Sequence, residues 1–369
     1  MKIAFLVGGN YSTSLYIVTR DVVNCLRSKG YMVDYIFVEE PIELKDNDIF
    51  IDINGVSKKS FNELRGLFFR ICKNILDRHV YAYLFSSYFS SQLQKKLNGY
   101  DKIFIHGTAS ISFGKLKTPY YCVLHSCKFD NFIGKHRKLV RPYYKKFYQK
   151  VYSGKNLLSV SDSVKLDMIN KMEAKPISID TIYNGFNFEH IETQAALDVG
   201  VIHSRPYIIA AGRPDRTKRF DILLKAYAMS MSKCSHDLII FGDGKRLNKL
   251  KELAKELSIE ENVIFKGFNK NILPYIKNAS AYVLSSDVEG LPTVVVESLV
   301  VGTPVVATDV GGIRELLNGE LSDWIVPRGD YVQLAEKLDL LLENPPKVSS
   351  ENISFLDFRI VCDKYIGKI

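Results

Sequence analysis

The chain has 369 residues, 46% of them hydrophobic and 25% charged, with 21 Phe and 21 Tyr. That profile excludes a disordered or low-complexity protein and suits two domains with substantial cores. The formal charge of +9 is uneven: residues 1–184 carry 28 Lys+Arg against 16 Asp+Glu, whereas residues 185–369 carry 22 against 25. This asymmetry points to an anionic partner for the first half.

The chain opens on M-K-I-A-F-L-V-G-G, whose apolar run is too short for a signal peptide and reads as a first buried strand. Further strands are expected at Val33–Val38, Ile49–Ile53, Lys102–His106, Tyr120–Leu124 and Leu157–Val160. In the second half they are expected at Tyr207–Ala211, Asp237–Phe241, Val263–Lys266, Ala281–Leu284 and Pro304–Ala307. Helical stretches separate them, among them Phe220–Met231 and Arg246–Leu257. Such alternation predicts an α/β protein with two parallel sheets of about five or six strands, one in each half. The join falls after I-Y-N-G-F-N-F, and a last amphipathic stretch covers about Phe355–Ile366. The expected division is 1–184, 185–345 and a terminal helix in 346–369 packing back on the first domain.

The longest apolar stretch, from Leu291, is broken by Pro292, Glu297 and Pro304, which excludes a spanning helix there. The six cysteines form no C-x-x-C and read as free thiols in a reducing cytoplasm. Asp46-Asn47-Asp48 precedes a strand, has no ligand cluster around it, and reads as a polar turn rather than a metal site.

Two stretches carry candidate chemistry. After the strand at Tyr207 comes G-R-P-D-R-T-K-R-F-D, which places Arg213 and Lys218 on the loop leaving the strand's carboxyl end. Ligands bind there in open α/β sheets, and two cations suit a diphosphate; a solvated basic loop is the plain alternative. After the strand at Ala281 comes S-S-D-V-E-G-L-P-T-V-V-V-E-S. Pro292 fits the first turn of a helix, Glu289 lies just before it, and Glu297 lies inside it among valines. A glutamate in so apolar a helix needs a partner. Two carboxylates for hydroxyls beside a helix N-terminus for phosphate are what a nucleotide sugar requires; an exposed loop Glu and an internal ion pair are the alternative.

In order, G-R-P-D-R-T-K, F-G-D-G-K-R-L-N-K-L, E-G-L-P-T-V-V-V-E and V-G-T-P-V-V-A-T-D-V-G-G-I-R-E resemble glycosyltransferase family 4, whose members are retaining enzymes with the GT-B fold. The resemblance is strong from about Tyr207 to Leu317. It implies two Rossmann-like domains with parallel sheets facing across a cleft, the first for the acceptor and the second for a nucleotide-sugar donor. By this resemblance Arg213 and Lys218 meet the donor diphosphate, Glu289 faces the donor sugar, and Glu297 binds the ribose hydroxyls. Gly290, Leu291, Pro292 and Thr293 match the loop whose backbone approaches sugar and phosphates, and Gly267 lies next to the base. His125, in Y-Y-C-V-L-H-S, matches the first-domain active-site histidine, with His106 as the competing residue. Gly8 and Gly9 match a glycine loop over the donor phosphates, although N-Y-S-T-S follows them where the family has a longer loop.

No acidic residue occurs from Asn131 to Ser161, where Lys135, Arg137, Lys138, Arg141, Lys145, Lys146, Lys150 and Lys155 interleave with Tyr143, Tyr144, Phe147, Tyr148 and Tyr152. A second basic amphipathic stretch runs from Phe61, with Leu64, Phe68, Ile71 and Ile75 separated by Arg65, Arg70 and Lys73. Such segments read as membrane-surface elements, against the plainer view that the apolar side is core and the basic side merely solvated. Nothing accompanies them that reads as a nucleic-acid motif. Together these features predict a cytoplasmic enzyme peripheral on the inner face of a bacterial membrane. It would move a sugar, most simply from a UDP-sugar and without a metal or other cofactor, to a lipid-linked or lipopolysaccharide glycan. A soluble transferase acting on protein or a small molecule, or an inactive nucleotide-sugar-binding protein, are the alternative readings.

Overall fold

The computed structural model describes residues 1–8, 14–38, 48–50, 72, 75–134, 138–198, 200 and 203–369. The chain divides into two compact units: Met1–Phe186 with Phe358–Ile369, and Asn187–Asp357.

The first unit is built on a seven-stranded, all-parallel sheet: β1 (Lys2–Val7), β2 (Met32–Phe37), β3 (Ile49–Phe50), β4 (Lys102–His106), β5 (Tyr120–Leu124), β6 (Asn156–Ser159) and β7 (Ser178–Thr181), in spatial order β3-β2-β1-β4-β5-β6-β7. The second unit has six parallel strands: β8 (Tyr207–Ala211), β9 (Asp237–Phe241), β10 (Val263–Gly267), β11 (Ala281–Leu284), β12 (Val305–Thr308) and β13 (Ile325–Val326), in order β10-β9-β8-β11-β12-β13. Strands such as Tyr207–Ala211 and Asp237–Phe241 are buried along their whole length. This explains why they read as continuous apolar runs rather than alternating ones: helices cover both faces of a parallel sheet. In each sheet the order runs outward one way from its first strand, then reverses, between β1 and β4 and between β8 and β11. The crevice at the carboxyl ends of two such strands is where open α/β sheets bind ligands. These are two Rossmann-like sheets of the GT-B fold.

β7 and β13 are the two strands absent from the expected set. Ser178–Thr181 is only half-buried and β13 has two residues, so neither shows a sustained apolar run. The second unit extends to Asp357 rather than 345, because the turns at Ser350–Leu356 bury Ile353 and Leu356. Within the first unit the terminal helix Phe358–Ile366 packs on the helix Ser14–Ser28. Tyr365 contacts Phe5 and Phe104, and Lys29 pairs with Asp363.

Candidate active site

In the second unit the loops after β8 and β11 meet at the reversal point, where the main-chain carbonyls of the first accept hydrogen bonds from the second. The Asp287 amide donates to the Thr217 carbonyl at 2.7 Å, and the Ser285 hydroxyl donates to the Lys218 carbonyl at 2.9 Å. Asp215 shapes the first loop: one carboxylate oxygen accepts from the Thr217 amide at 2.7 Å, the Thr217 hydroxyl at 2.5 Å and the Lys218 amide at 3.2 Å. That turn brings Lys218 back over the sheet edge, where its Nζ donates to Glu289 Oε1 at 2.7 Å. Lys218 and Glu289, assigned separately to diphosphate and sugar, are thus each other's partners in this structure. Arg213 is exposed, and its guanidinium has no hydrogen-bond partner among the described residues.

Arg219 is a residue the sequence reading missed. It stands in left-handed backbone, φ 49° and ψ 41°, immediately before the helix Phe220–Met229. Its guanidinium spans both loops, with hydrogen bonds to Asp221 at 3.1–3.3 Å and to Asp287 at 3.0 and 3.1 Å. A charged residue beside Lys218 in a basic loop gave no sign of this clamp, since its partner Asp287 lies 68 residues on.

Glycines let these loops approach. A Cβ at Gly242 would lie 2.0 Å from the Gly212 carbonyl oxygen, so the loop after β9 fits backbone against backbone under Gly212. A Cβ at Gly311 would lie 2.7 Å from the carbonyl oxygens of Glu289 and Gly290, and the Gly312 amide donates to the Gly290 carbonyl at 2.8 Å. F-G-D-G-K and D-V-G-G therefore hold the site loops from beneath. Gly267 ends β10 beside Asp243, whose carboxylate accepts the Phe268 amide at 2.9 Å.

The helix Thr293–Val300 begins one residue later than expected. Pro292 is its N-cap, and no side chain caps its first turn. Gly290 and Leu291 are buried beside it, and Thr293 is half-buried. Glu297 sits one turn in, has no hydrogen-bond or ion-pair partner among the described residues, and burial pushes its carboxyl up to about 7. Arg213 and Glu297 are thus a guanidinium and a carboxyl that have no hydrogen-bond partner among the described residues.

In the first unit Gly9 lies outside the described residues, as do Lys135, Arg137 and all of the Phe61 stretch except Cys72, Ile75 and Leu76. His125 follows β5, and His106 ends the adjacent β4; His106 Nδ1 and His125 Nε2 are 2.9 Å apart. The two competing histidines are therefore one pair. Burial holds His106 down at about 3, and burial, then His106 and Lys128, hold His125 well below its usual value. Lys128, only 2% exposed, is a further residue the sequence reading missed: its Nζ lies over the Phe132 ring, and burial brings it down to about 8. Among the described residues no cluster of three or more His, Cys, Asp or Glu is placed to hold a metal ion.

The family described as Glycosyltransferase Family 4 matches residues 17–190, and the family described as Glycosyl transferases group 1 matches residues 197–353. This chain belongs to glycosyltransferase family 4. The family 4 chain is 30% identical, over 48% of its own length and 48% of the relative's, to an N-acetylgalactosamine-N,N'-diacetylbacillosaminyl-diphospho-undecaprenol 4-alpha-N-acetylgalactosaminyltransferase of Campylobacter jejuni. It is 26% identical, over 45% of each chain, to the N-acetyl-alpha-D-glucosaminyl L-malate synthase of Bacillus anthracis. The matches thus span about half the length of these curated relatives. The fold is that of the sucrose-phosphate synthase of Thermosynechococcus elongatus, with TM-score 0.75 and 18% identity over 100% of this chain and 98% of that one. It is also that of Anabaena HepE in complex with UDP, with TM-score 0.72 and 16% identity over 100% and 99%.

Proposed function

We propose that this family 4 member is a retaining glycosyltransferase that moves a sugar from a nucleotide donor, a UDP-sugar, to a lipid-linked or lipopolysaccharide glycan. The observation that carries the proposal is that the loops and helix at the reversal point of the second sheet hold a carboxyl, Glu297, and a guanidinium, Arg213, neither with a hydrogen-bond partner among the described residues. In the bare protein the desolvated Glu297 carboxyl costs stability while Arg213 stays exposed to solvent, and a molecule bearing ribose hydroxyls and a diphosphate gives both a partner. The second unit binds the donor and the first binds the acceptor.

The chemistry follows from the charges. Breaking the bond between the anomeric carbon and the diphosphate leaves negative charge on the diphosphate. Arg213, Lys218 and the uncapped helix start at Thr293 take up that charge without a metal. Lys218 exchanges its Glu289 oxygen for a phosphate oxygen, which frees Glu289 to accept from donor-sugar hydroxyls. Retention follows when the acceptor attacks from the face the nucleotide leaves, with a departing phosphate oxygen taking the acceptor's proton. The acceptor class rests on the Campylobacter relative, whose name specifies a diphospho-undecaprenol-linked substrate.

For the membrane, the helix Arg141–Tyr152 divides its residues between core and surface. Tyr148 and Tyr152 are buried, and Phe147 packs edge-on to Tyr83, so core packing accounts for these three aromatics. Leu139 at 92% exposure, Tyr143 at 62% and Leu84 at 57% are open to solvent, with Lys138, Lys146 and Lys150 exposed as well. This mixture of cations and apolar side chains suits an anionic bilayer at the cytoplasmic face. No helix among the described residues is long and apolar enough to cross a membrane.

The direct test is donor hydrolysis and transfer over a panel of nucleotide sugars, with Arg213→Ala and Lys218→Ala as controls. Turnover of a UDP-sugar that falls at least a hundredfold in both folded variants supports the proposal. Near wild-type kinetics in both would remove the proposed site.

A further inference from the structure

His106 and His125 are the ends of adjacent parallel strands in register, with His106 opposite Val123 and His125 one residue past Leu124. His106 is fully buried, and its ring stacks on Phe5 at 5.4 Å with 23° between planes. Its Nδ1 meets His125 Nε2 at 2.9 Å, and its Nε2 is buried with no hydrogen-bond partner among the described residues. His125 is half-buried, and its Nδ1 has no hydrogen-bond partner among the described residues.

We propose that His106 is a positioning residue that fixes the tautomer of His125, so that His125 meets its substrate as an Nδ1–H donor and not as a base. Both rings are neutral, because His106 is fully enclosed and the nearby Lys128 cation opposes a second positive charge. Each neutral ring has one N–H, so two arrangements satisfy the contact. In the first, His106 Nδ1–H donates to His125 Nε2, and His125 keeps its proton on Nδ1. In the second, His125 Nε2–H donates to His106 Nδ1, and the proton of His106 must sit on Nε2. That second arrangement orphans an N–H in a closed apolar pocket, the state proteins tolerate least. The first leaves only a bare lone pair there. With Nε2 engaged by His106 and Nδ1 already protonated, His125 has no free lone pair to accept a proton. It can donate one hydrogen bond, to a hydroxyl or phosphate oxygen.

That His125 faces substrate rests on the proposed function, whereas the tautomer does not. The test is a two-bond proton–nitrogen correlation spectrum of the full chain labelled at its seven histidines. For both His125 and His106 the expected pattern is protonated Nδ1 with bare Nε2. His106→Asn keeps a donor where Nδ1 stands and should preserve the His125 pattern. His106→Phe keeps the ring stack without the donor, and should move His125 towards protonated Nε2. On the proposed reaction, His106→Phe should lower kcat at least tenfold with KM little changed, and His106→Asn should restore most of it. A wild-type His125 protonated on Nε2 would overturn the inference, as would a His106→Phe variant whose His125 pattern is unmoved. The wild-type spectrum decides the first point even if a variant does not fold. The expected spectrum in a chain that turns over no nucleotide sugar would refute the proposed function and leave this inference standing.

Discussion

Replacing Glu297 with Gln separates what the residue does for a ligand from what it costs the fold. Burial moves this carboxyl from 4.5 to about 7. The native state therefore holds a proton on it, between those limits, that the unfolded chain has released. Stability attached to this group is then present below pH 4.5 and is lost as pH rises through 7. The shift corresponds to about 3 kcal/mol if burial were complete. Glu297 keeps some solvent contact, so about 1–3 kcal/mol is the reasonable range at pH 8. Gln keeps the shape and cannot ionise. Wild type and Glu297→Gln should melt together near pH 4.5 and diverge above it, with the variant higher by about 2–10 °C at pH 8. Calorimetry of the full chain, following the transition that UDP shifts, measures this. The same variant should bind UDP at least tenfold more weakly at pH 8. Between pH 6 and 8 wild-type affinity for UDP should rise more steeply than the variant's, since the apo carboxyl must lose its proton to accept ribose hydroxyls, whereas ionisation of UDP's terminal phosphate at about pH 6 is common to both. Parallel melting profiles for the two proteins would refute the reasoning about burial. Equal UDP affinity at pH 8 would refute the ribose role.

Three further perturbations probe other parts of the site. Arg219→Gly removes the clamp while relieving the left-handed backbone strain, so stability should change by less than about 1 kcal/mol while transfer drops at least tenfold; wild-type kcat/KM in that variant would dismiss the clamp. Transfer should persist undiminished in excess EDTA, because Arg213 and Lys218 take the leaving charge; activity abolished by chelation and restored by magnesium or manganese would contradict this. Liposome cosedimentation should show binding that requires anionic lipid, weakens with salt, and falls when Lys138, Lys146 and Lys150 are all changed to Ser. Equal binding to neutral vesicles, or no loss in the variant, would count against that surface, and no binding to either vesicle would favour a soluble acceptor.

What could be read in the sequence followed the physics of each element. Parallel strands buried on both faces are unbroken apolar runs, so Tyr207–Ala211, Asp237–Phe241 and Ala281–Leu284 fall at the expected residues. β7 and β13 carry no such run and were illegible. The site was legible as residue types at loop ends, because Gly, Arg, Lys and Glu there need a reason. Their partnerships were not. Lys218 with Glu289, Arg219 with Asp287, and His106 with His125 join positions 19 to 71 residues apart, and only the strand order brings them together. The aromatics of the basic helix show the opposite limit: composition alone counted Tyr148 and Tyr152 with the surface, and packing takes them into the core.

The two units handle polar groups differently, and the difference fits a division of labour. The second unit gathers cationic and acidic side chains at its sheet edge, Arg213 and Glu297 without a hydrogen-bond partner among the described residues, and supports the loops from beneath with close backbone contacts at Gly242 and Gly311. The desolvated Glu297 carboxyl loses stability when the site is empty, and a ligand that partners it recovers that stability by mass action. The first unit instead places neutral rings, His106 and His125, at the edge of its sheet and buries its nearby cation, Lys128. A neutral donor there exerts little pull on a nucleotide's charge, but it can orient a hydroxyl or a phosphate oxygen. Charge would then secure the donor in one unit, while uncharged hydrogen bonding in the other discriminates among oxygens. Introducing a fixed cation at His125, as Lys, should accordingly tighten phosphate binding to the first unit while lowering transfer. If His125→Lys instead kept wild-type turnover, neutrality at that edge would have no part in the reaction.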